Sequence, residues 1–196
     1  MRLDSNKLFP IFLKLEFINI LVVGGGNVAL EKMSAIKKAD KDAKVQLISK
    51  DIIPELFELV NEMPNVIIYN REFENSDIVR QNLVISATDN KALQFQIKKV
   101  CEEKNILCNV ADTPDLCDFY LSSVVQKGNL KIAISTNGKS PTLAKRIKEF
   151  LEEIIPDEID DLLLNMNNIR KKLSGNFEEK VKKLNEITKM LVEKEN

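Results

Sequence analysis

Leu21-Val22-Val23-Gly24-Gly25-Gly26-Asn27-Val28-Ala29-Leu30-Glu31-Lys32 carries an apolar strand directly into glycines and then into a helix-like pattern. A dinucleotide's pyrophosphate sits at such a junction. Gly24 permits the tight turn, Gly26 lets the backbone approach the phosphates, and Ala29, in the third small position, lets the helix pack on the strand. The helix aims its free N–H groups and the positive end of its dipole at the anion. G-x-G-x-x-A is a short pattern, and its context gives it weight: a strand precedes it, a helix follows, and a second strand over 44–49 comes at the right distance.

Position along the chain then assigns the cofactor contacts. Gly24, Gly26, Asn27 and Val28 are expected at the pyrophosphate, Lys50 and Asp51 near the adenosine, and Ala87 and Thr88 beside the nicotinamide half. The second strand ends in Ser49, where an acidic residue usually grips the ribose hydroxyls. Asp51 is the substitute for that grip, whereas Lys50 beside it suits a 2′-phosphate. The residues alone leave NAD and NADP open.

With 196 residues the chain suits one ordinary domain and a smaller appendage. Twenty-nine Lys and Arg against 30 Asp and Glu leave a net charge of −1, so no basic excess favours nucleic acid. Any anion site is local. The apolar runs are too short for a bilayer and the amino terminus does not read as a leader, so a soluble, cytoplasmic protein without a membrane partner is expected.

Cys101, Cys108 and Cys117 are odd in number and lack C-x-x-C spacing, which points to small buried residues rather than disulfides or zinc. Histidine is absent, which removes Ser-His-Asp and Cys-His catalysis and histidine-bound metals. Acid–base chemistry falls to carboxylates, lysines, tyrosines or a cofactor. A short-chain dehydrogenase needs a tyrosine four residues before a lysine, but Phe73 follows Tyr69 and Val124 follows Tyr120 at that spacing.

Strands are expected over 10–15, 18–23, 44–49, 66–69, 83–87 and 106–110, with helices over 27–38, 54–60 and from Ala92 through Leu93, Phe95, Ile97 and Val100. This alternation predicts a parallel sheet, and ligands gather beyond the carboxyl ends of such strands. The pattern changes after residue 113. Segments 119–125 and 130–135 flank Lys127-Gly128-Asn129 as an antiparallel hairpin. Ser140-Pro141 then caps a helix whose face carries Leu143, Ile147, Phe150, Leu151 and Ile154.

Pro156 breaks that helix, and two amphipathic segments follow with Ile159, Leu162, Leu163, Met166 and Ile169, then Phe177, Val181, Leu184, Ile187 and Leu191. Their apolar stripes need cover, for which a partner subunit is the simplest candidate. The fold class is therefore α/β: a Rossmann-like parallel sheet (1–112), a hairpin-and-helix region for dimerisation and substrate (113–155), and a helical dimerisation tail (156–196). Arg170, Lys171, Lys172, Lys180, Lys182 and Lys183 read as a solvated helix face.

Five ordered stretches carry a resemblance: 10–15 (PIFLKL), 22–29 (VVGGGNVA), 86–89 (SATD), 108–112 (CNVAD) and 134–141 (ISTNGKSP). Together they resemble the precorrin-2 dehydrogenase/sirohydrochlorin ferrochelatase family in its stand-alone form, without the fused methyltransferase domain. The resemblance implies a homodimer and NAD-dependent oxidation of precorrin-2 to sirohydrochlorin, followed in some members by insertion of ferrous iron. It makes Asp112 the catalytic residue, since Asp112 aligns with the family's essential aspartate and ends a parallel strand at the crevice. An aspartate of ordinary acidity is ionised at neutral pH and ready to take a proton. The same carboxylate would hold iron transiently, with no stable metal site. The structural alternative is that Asp112 only caps the turn before Thr113-Pro114.

A polycarboxylate substrate calls for cations and N–H donors. Thr136, Asn137, Gly138 and Ser140 are the expected donor loop, with Lys145 and Arg146 adding charge; the competing reading is a polar turn that caps the helix. The rival from another class is a non-catalytic NAD-binding, redox-sensing regulatory module. It shares the glycine loop but gives Asp112 and the 136–141 loop no role.

Overall fold

The computed structural model describes residues 6–172 and 177–188. They fall into two compact units that divide between Leu121 and Ser122.

The first unit is built on strands β1 (Asn19–Val23), β2 (Lys44–Ile48), β3 (Val66–Tyr69), β4 (Leu83–Ser86) and β5 (Leu107–Val110). Their order is β3-β2-β1-β4-β5 and every pairing is parallel. Helices α1 (Asn27–Ala39), α2 (Pro54–Asn61) and α3 (Lys91–Glu103) make the crossovers. Because both faces are covered, the central strands are apolar on both sides rather than alternating. Ile20 and Val22 face a core with Ala29, Met33, Ile36, Leu56 and Val60, whereas Leu21 and Val23 face Ile97, Val100 and Cys101.

Two expectations are corrected here. Residues 10–15 form no strand: irregular chain leads to a 3₁₀ turn at Leu15–Phe17, with Phe9, Ile11 and Phe12 exposed. The sheet has no room for an edge beside β1, since β2 and β4 take its two sides. The boundary falls after Leu121 rather than at 112–113. The physical reason lies in segment 117–119, which runs along the outer side of β5. Asp118 N donates to the Cys108 carbonyl (2.8 Å), Cys108 N to Asp118 Oδ2 (2.9 Å), and Asn109 Nδ2 to the Phe119 carbonyl (2.8 Å). These bonds cover an open sheet edge. Lys98 fastens the segment further through Asp118 at 2.5 Å.

Helix α3 also differs from its expected face. Ala92 and Phe95 point outward, and the buried positions are Gln94, Ile97, Lys98, Val100 and Cys101. Cys101 and Cys108 are free and buried, and Cys117 is half-buried. The Cys101 thiol beside it, together with burial, pushes the Cys108 thiol up, and burial does the same to Cys117.

The second unit pairs β6 (Ser123–Lys127) with β7 (Leu130–Ile134) antiparallel, joined by a two-residue turn at Gly128-Asn129. Gly128 has φ +53°, and a Cβ there would collide with the Asp160 carboxylate. Helix α4 (Pro141–Ile154) follows, then α5 (Ile159–Lys172) and α6 (Phe177–Thr188). Asp160 accepts from Asn129 N (2.7 Å) and Nδ2 (2.8 Å), and Lys127 pairs with Asp157, so the start of α5 is tied to the hairpin tip.

Ile147 and Leu151 of the expected α4 face are half-buried and Ala144 is buried, but Leu143, Phe150 and Ile154 remain more than half exposed. Ile159, Leu162, Met166, Ile169 and Leu184 are half-buried, while Leu163 and Val181 are exposed. Arg170, Lys171, Lys182 and Lys183 face solvent and Lys180 is half-buried. Leu191 and the side chains of Lys172, Phe177 and Ile187 lie outside the described residues.

Candidate dinucleotide-binding site

The strand register brings the carboxyl ends together. Val23 is level with Ile48 and Ser86, and Ser86 with Val110, so Gly24, Ser49, Ala87 and Ala111 emerge side by side. The ladder continues one residue further: Gly24 N donates to the Ile48 carbonyl, Ala87 N to Val23 and Ala111 N to Ser86, all within 2.8–2.9 Å. Strand order reverses between β1 and β4, and a crevice opens at that switch point.

The three glycines do different things. Gly24 has φ +124°, and a Cβ there would overlap the Ala87 carbonyl oxygen, so the turn passes directly against the end of β4. At Gly25 a Cβ would overlap the Asp51 carbonyl oxygen. Gly26 has nothing within 4 Å of its Cβ position and is the N-cap of α1, with no side chain capping the helix. The first N–H groups of α1 are thus left without side-chain partners in front of open space. That is the donor set a pyrophosphate requires, and the residues present fit it.

On the β2 side, Ser49 Oγ donates to the Asp51 carbonyl at 2.8 Å, which turns the hydroxyl back into the loop. Asp51 is exposed, and Lys50 pairs with Glu72 at 2.5 Å. The Glu72 carboxylate raises the Lys50 pKa and is itself lowered by Lys50. Nearby, Arg71 forks onto Asp77 through bonds of 2.8 and 2.6 Å. That guanidinium holds the Asp77 carboxyl below the usual carboxylate range.

On the β4–β5 side, Ala87 is buried and Thr88 Oγ1 accepts from Asn90 N. Asp112 follows β5 with φ +55°, a left-handed conformation that Asp and Asn adopt most readily among side-chain-bearing residues. Its side chain is exposed, and it stands in the tight turn that Thr113 N closes by donating to the Val110 carbonyl (3.3 Å), before the 3₁₀ turn at Pro114–Leu116.

Sequence reasoning missed Gln94, which is 1 % exposed on α3. Its Nε2 donates to the carbonyls of Thr88 (2.6 Å) and Ala111 (3.3 Å). Its Oε1 accepts from Thr113 Oγ1 (3.0 Å) and Lys91 Nζ (3.1 Å). One amide therefore joins the loops after β4 and β5. The available signal was a polar residue three before Ile97 and seven before Cys101, on the core stripe of the helix.

The 136–141 loop lies in the second unit and is closed on itself. Thr136 Oγ1 donates to the Ser140 carbonyl (3.1 Å) and accepts from Ser140 N (3.2 Å), while Ser140 Oγ accepts from Leu143 N as the α4 cap. Asn137 and Gly138 supply left-handed turns at φ +55° and +71°. Lys145 is exposed, and Arg146 pairs with Glu149 at 2.9 Å.

The strand order, the switch point and the uncapped helix start define a dinucleotide-binding protein of the Rossmann class. Residues 11–123 match the family described as "Putative NAD(P)-binding", and residues 127–154 match "Sirohaem biosynthesis protein central". The first match spans more than half of the sequence, and the chain belongs to that NAD(P)-binding family.

The siroheme synthase of Ruthia magnifica is 38% identical over 173 residues, covering 88% of this chain and 34% of the relative. That of Psychrobacter cryohalolentis is 35% identical over 174 residues, covering 89% and 31%. The chain thus spans about a third of the length of these curated relatives. A solved structure of SirC, a precorrin-2 dehydrogenase, superposes with a TM-score of 0.72 at 23% identity, covering 92% of this chain and 89% of that one. That likeness establishes the shared fold. The matches agree with the resemblance drawn from the five ordered stretches.

Proposed function

We propose that the chain is an NAD-dependent precorrin-2 dehydrogenase of sirohaem biosynthesis, with Asp112 as the base. The observation that carries this reading is the pairing, at one sheet edge, of an uncapped helix start with an exposed aspartate in a left-handed turn. The bound cofactor supplies a hydride acceptor. Oxidation of precorrin-2 to sirohydrochlorin removes a hydride and a proton, and the Asp112 carboxylate takes the proton. Gly24 and Gly26, with the N–H groups of Asn27 and Val28, hold the pyrophosphate. Lys50 and Asp51 lie toward the adenosine, and Ala87 and Thr88 toward the nicotinamide.

Thr136, Asn137, Gly138, Ser140, Lys145 and Arg146 remain the proposed substrate residues of the second unit. The inward bonds of Thr136 and Ser140 give these two a structural share as well. The exposed Leu143, Phe150 and Ile154 stripe supports a homodimer, since a second copy would remove it from water. Ferrous iron is proposed as a second substrate, held briefly by the same Asp112 carboxylate. A cytoplasmic location agrees with the absence, among the described residues, of any helix long and apolar enough to cross a membrane.

The test is an anaerobic assay of the purified chain with precorrin-2 and NAD, followed by ferrous iron. NADH formation with a sirohydrochlorin spectrum is expected, and iron then shifts the spectrum faster than without protein. NAD binding without NADH formation would favour the regulatory module instead.

A further inference from the structure

Among the described residues, the cations that follow β2 and β3 at the carboxyl edge of the sheet are paired, and the one at the start of α3 is not. Lys50 is neutralised by Glu72 and Arg71 by Asp77. Lys91, at the start of α3, meets only neutral oxygens: Thr113 Oγ1 at 2.8 Å and Gln94 Oε1 at 3.1 Å. Among the described residues it joins no ion pair. Gln94 is buried with its amide bonded on both sides, so the acceptor that holds the ammonium does not swing away. Thr113, the other acceptor, adjoins Asp112.

We propose that Lys91 anchors a carboxylate of the tetrapyrrole substrate beside Asp112. This deepens the dehydrogenase reading and rests on it for the identity of the ligand. An ammonium has three donors, and two of Lys91's are spent on oxygens that bring no charge. Lys91 is exposed, so the third donor and the charge face solvent, where an incoming anion can reach them. A charge-assisted hydrogen bond to a carboxylate is roughly twice as strong as a neutral one. The anion is assigned to the substrate rather than the cofactor because the phosphates already have the start of α1, across the switch point from α3.

The test is anaerobic titration of the full chain and of Lys91→Gln with sirohydrochlorin, read from tetrapyrrole absorbance, and separately with NAD. Lys91→Gln is expected to weaken sirohydrochlorin about tenfold and to leave NAD affinity and Tm unchanged. Lys91→Arg should restore part of the binding. In turnover the loss should appear in KM for precorrin-2 rather than in kcat. Unchanged sirohydrochlorin affinity overturns the anchor, and so does an equal loss for NAD, which would place the charge at the phosphates. If the wild type binds sirohydrochlorin in a Lys91-dependent way but forms no NADH, the anchor stands and the dehydrogenase reading fails. If the wild type binds no tetrapyrrole, both fall.

Discussion

Gln94 and Thr88 share a 2.6 Å hydrogen bond, and the same Gln94 amide reaches the Ala111 carbonyl, one residue before Asp112. The expected cofactor edge and the proposed base are thereby held by one buried side chain. Gln94→Leu keeps the bulk but strands the part-buried Thr88 carbonyl and the buried Ala111 carbonyl. A loss of about 2–3 kcal/mol is expected in urea unfolding. Turnover should fall more than NAD affinity, because the glycine loop is untouched. Stability within experimental scatter of the wild type would mean that the amide is not needed there.

The glycines separate folding from binding. Gly24→Ala places a Cβ on the Ala87 carbonyl at φ +124° and should cost at least about 2 kcal/mol. Gly26→Asp meets open space, so its Tm should stay near the wild-type value while NAD binding is lost through bulk and charge against the phosphates. Calorimetric NAD titration on both variants decides this; tight NAD binding by Gly26→Asp would make the loop purely structural.

Asp112 should be tested with Asn before Ala. At φ +55° asparagine is tolerated, whereas alanine adds backbone strain of about 1 kcal/mol. Asp112→Asn is expected to bind NAD normally and to lose precorrin-2 oxidation and iron insertion. Wild-type rates for both reactions would remove Asp112 from the chemistry.

Acid stability should depend on Asp77. The Arg71 guanidinium lowers its folded pKa below the unfolded one, so the stabilisation is complete above the ordinary carboxylate value and is lost as pH falls through the folded value. Asp77→Asn should remove that loss from the acid limb below about pH 4. At neutral pH it should cost about 1 kcal/mol, less than a buried charged hydrogen bond because the partly exposed Arg71 is screened by solvent. Parallel acid titrations of the two proteins by circular dichroism give the comparison.

Phe150→Glu places a charge on the exposed α4 stripe, where the side chain is 58% exposed. A homodimer should shift to monomer by sedimentation velocity while the helical signal is kept. An unchanged sedimentation coefficient from a dimeric wild type would put the interface elsewhere.

Much of this architecture was legible because it depends on local pattern. Apolar runs such as 83–86, the glycines after Val23 and the Ser140-Pro141 cap each act on their immediate neighbours, and the strands and helices formed there within a residue or two. The exposed 10–15 segment misled because an apolar run has strand propensity wherever it lies, and only sheet order says whether a neighbouring position is free.

The sequence by itself determined the parallel α/β unit, the glycine turn and the placement of Asp112 at a strand's carboxyl end. Periodicity and turn chemistry are short-range, so they are written in consecutive residues. Tertiary structure alone decided that Gln94 bridges the loops after β4 and β5, that segment 117–119 closes the β5 edge, and that Lys91 meets only neutral oxygens among the described residues. Those facts depend on which distant residues meet, and on which charges are already neutralised where they do.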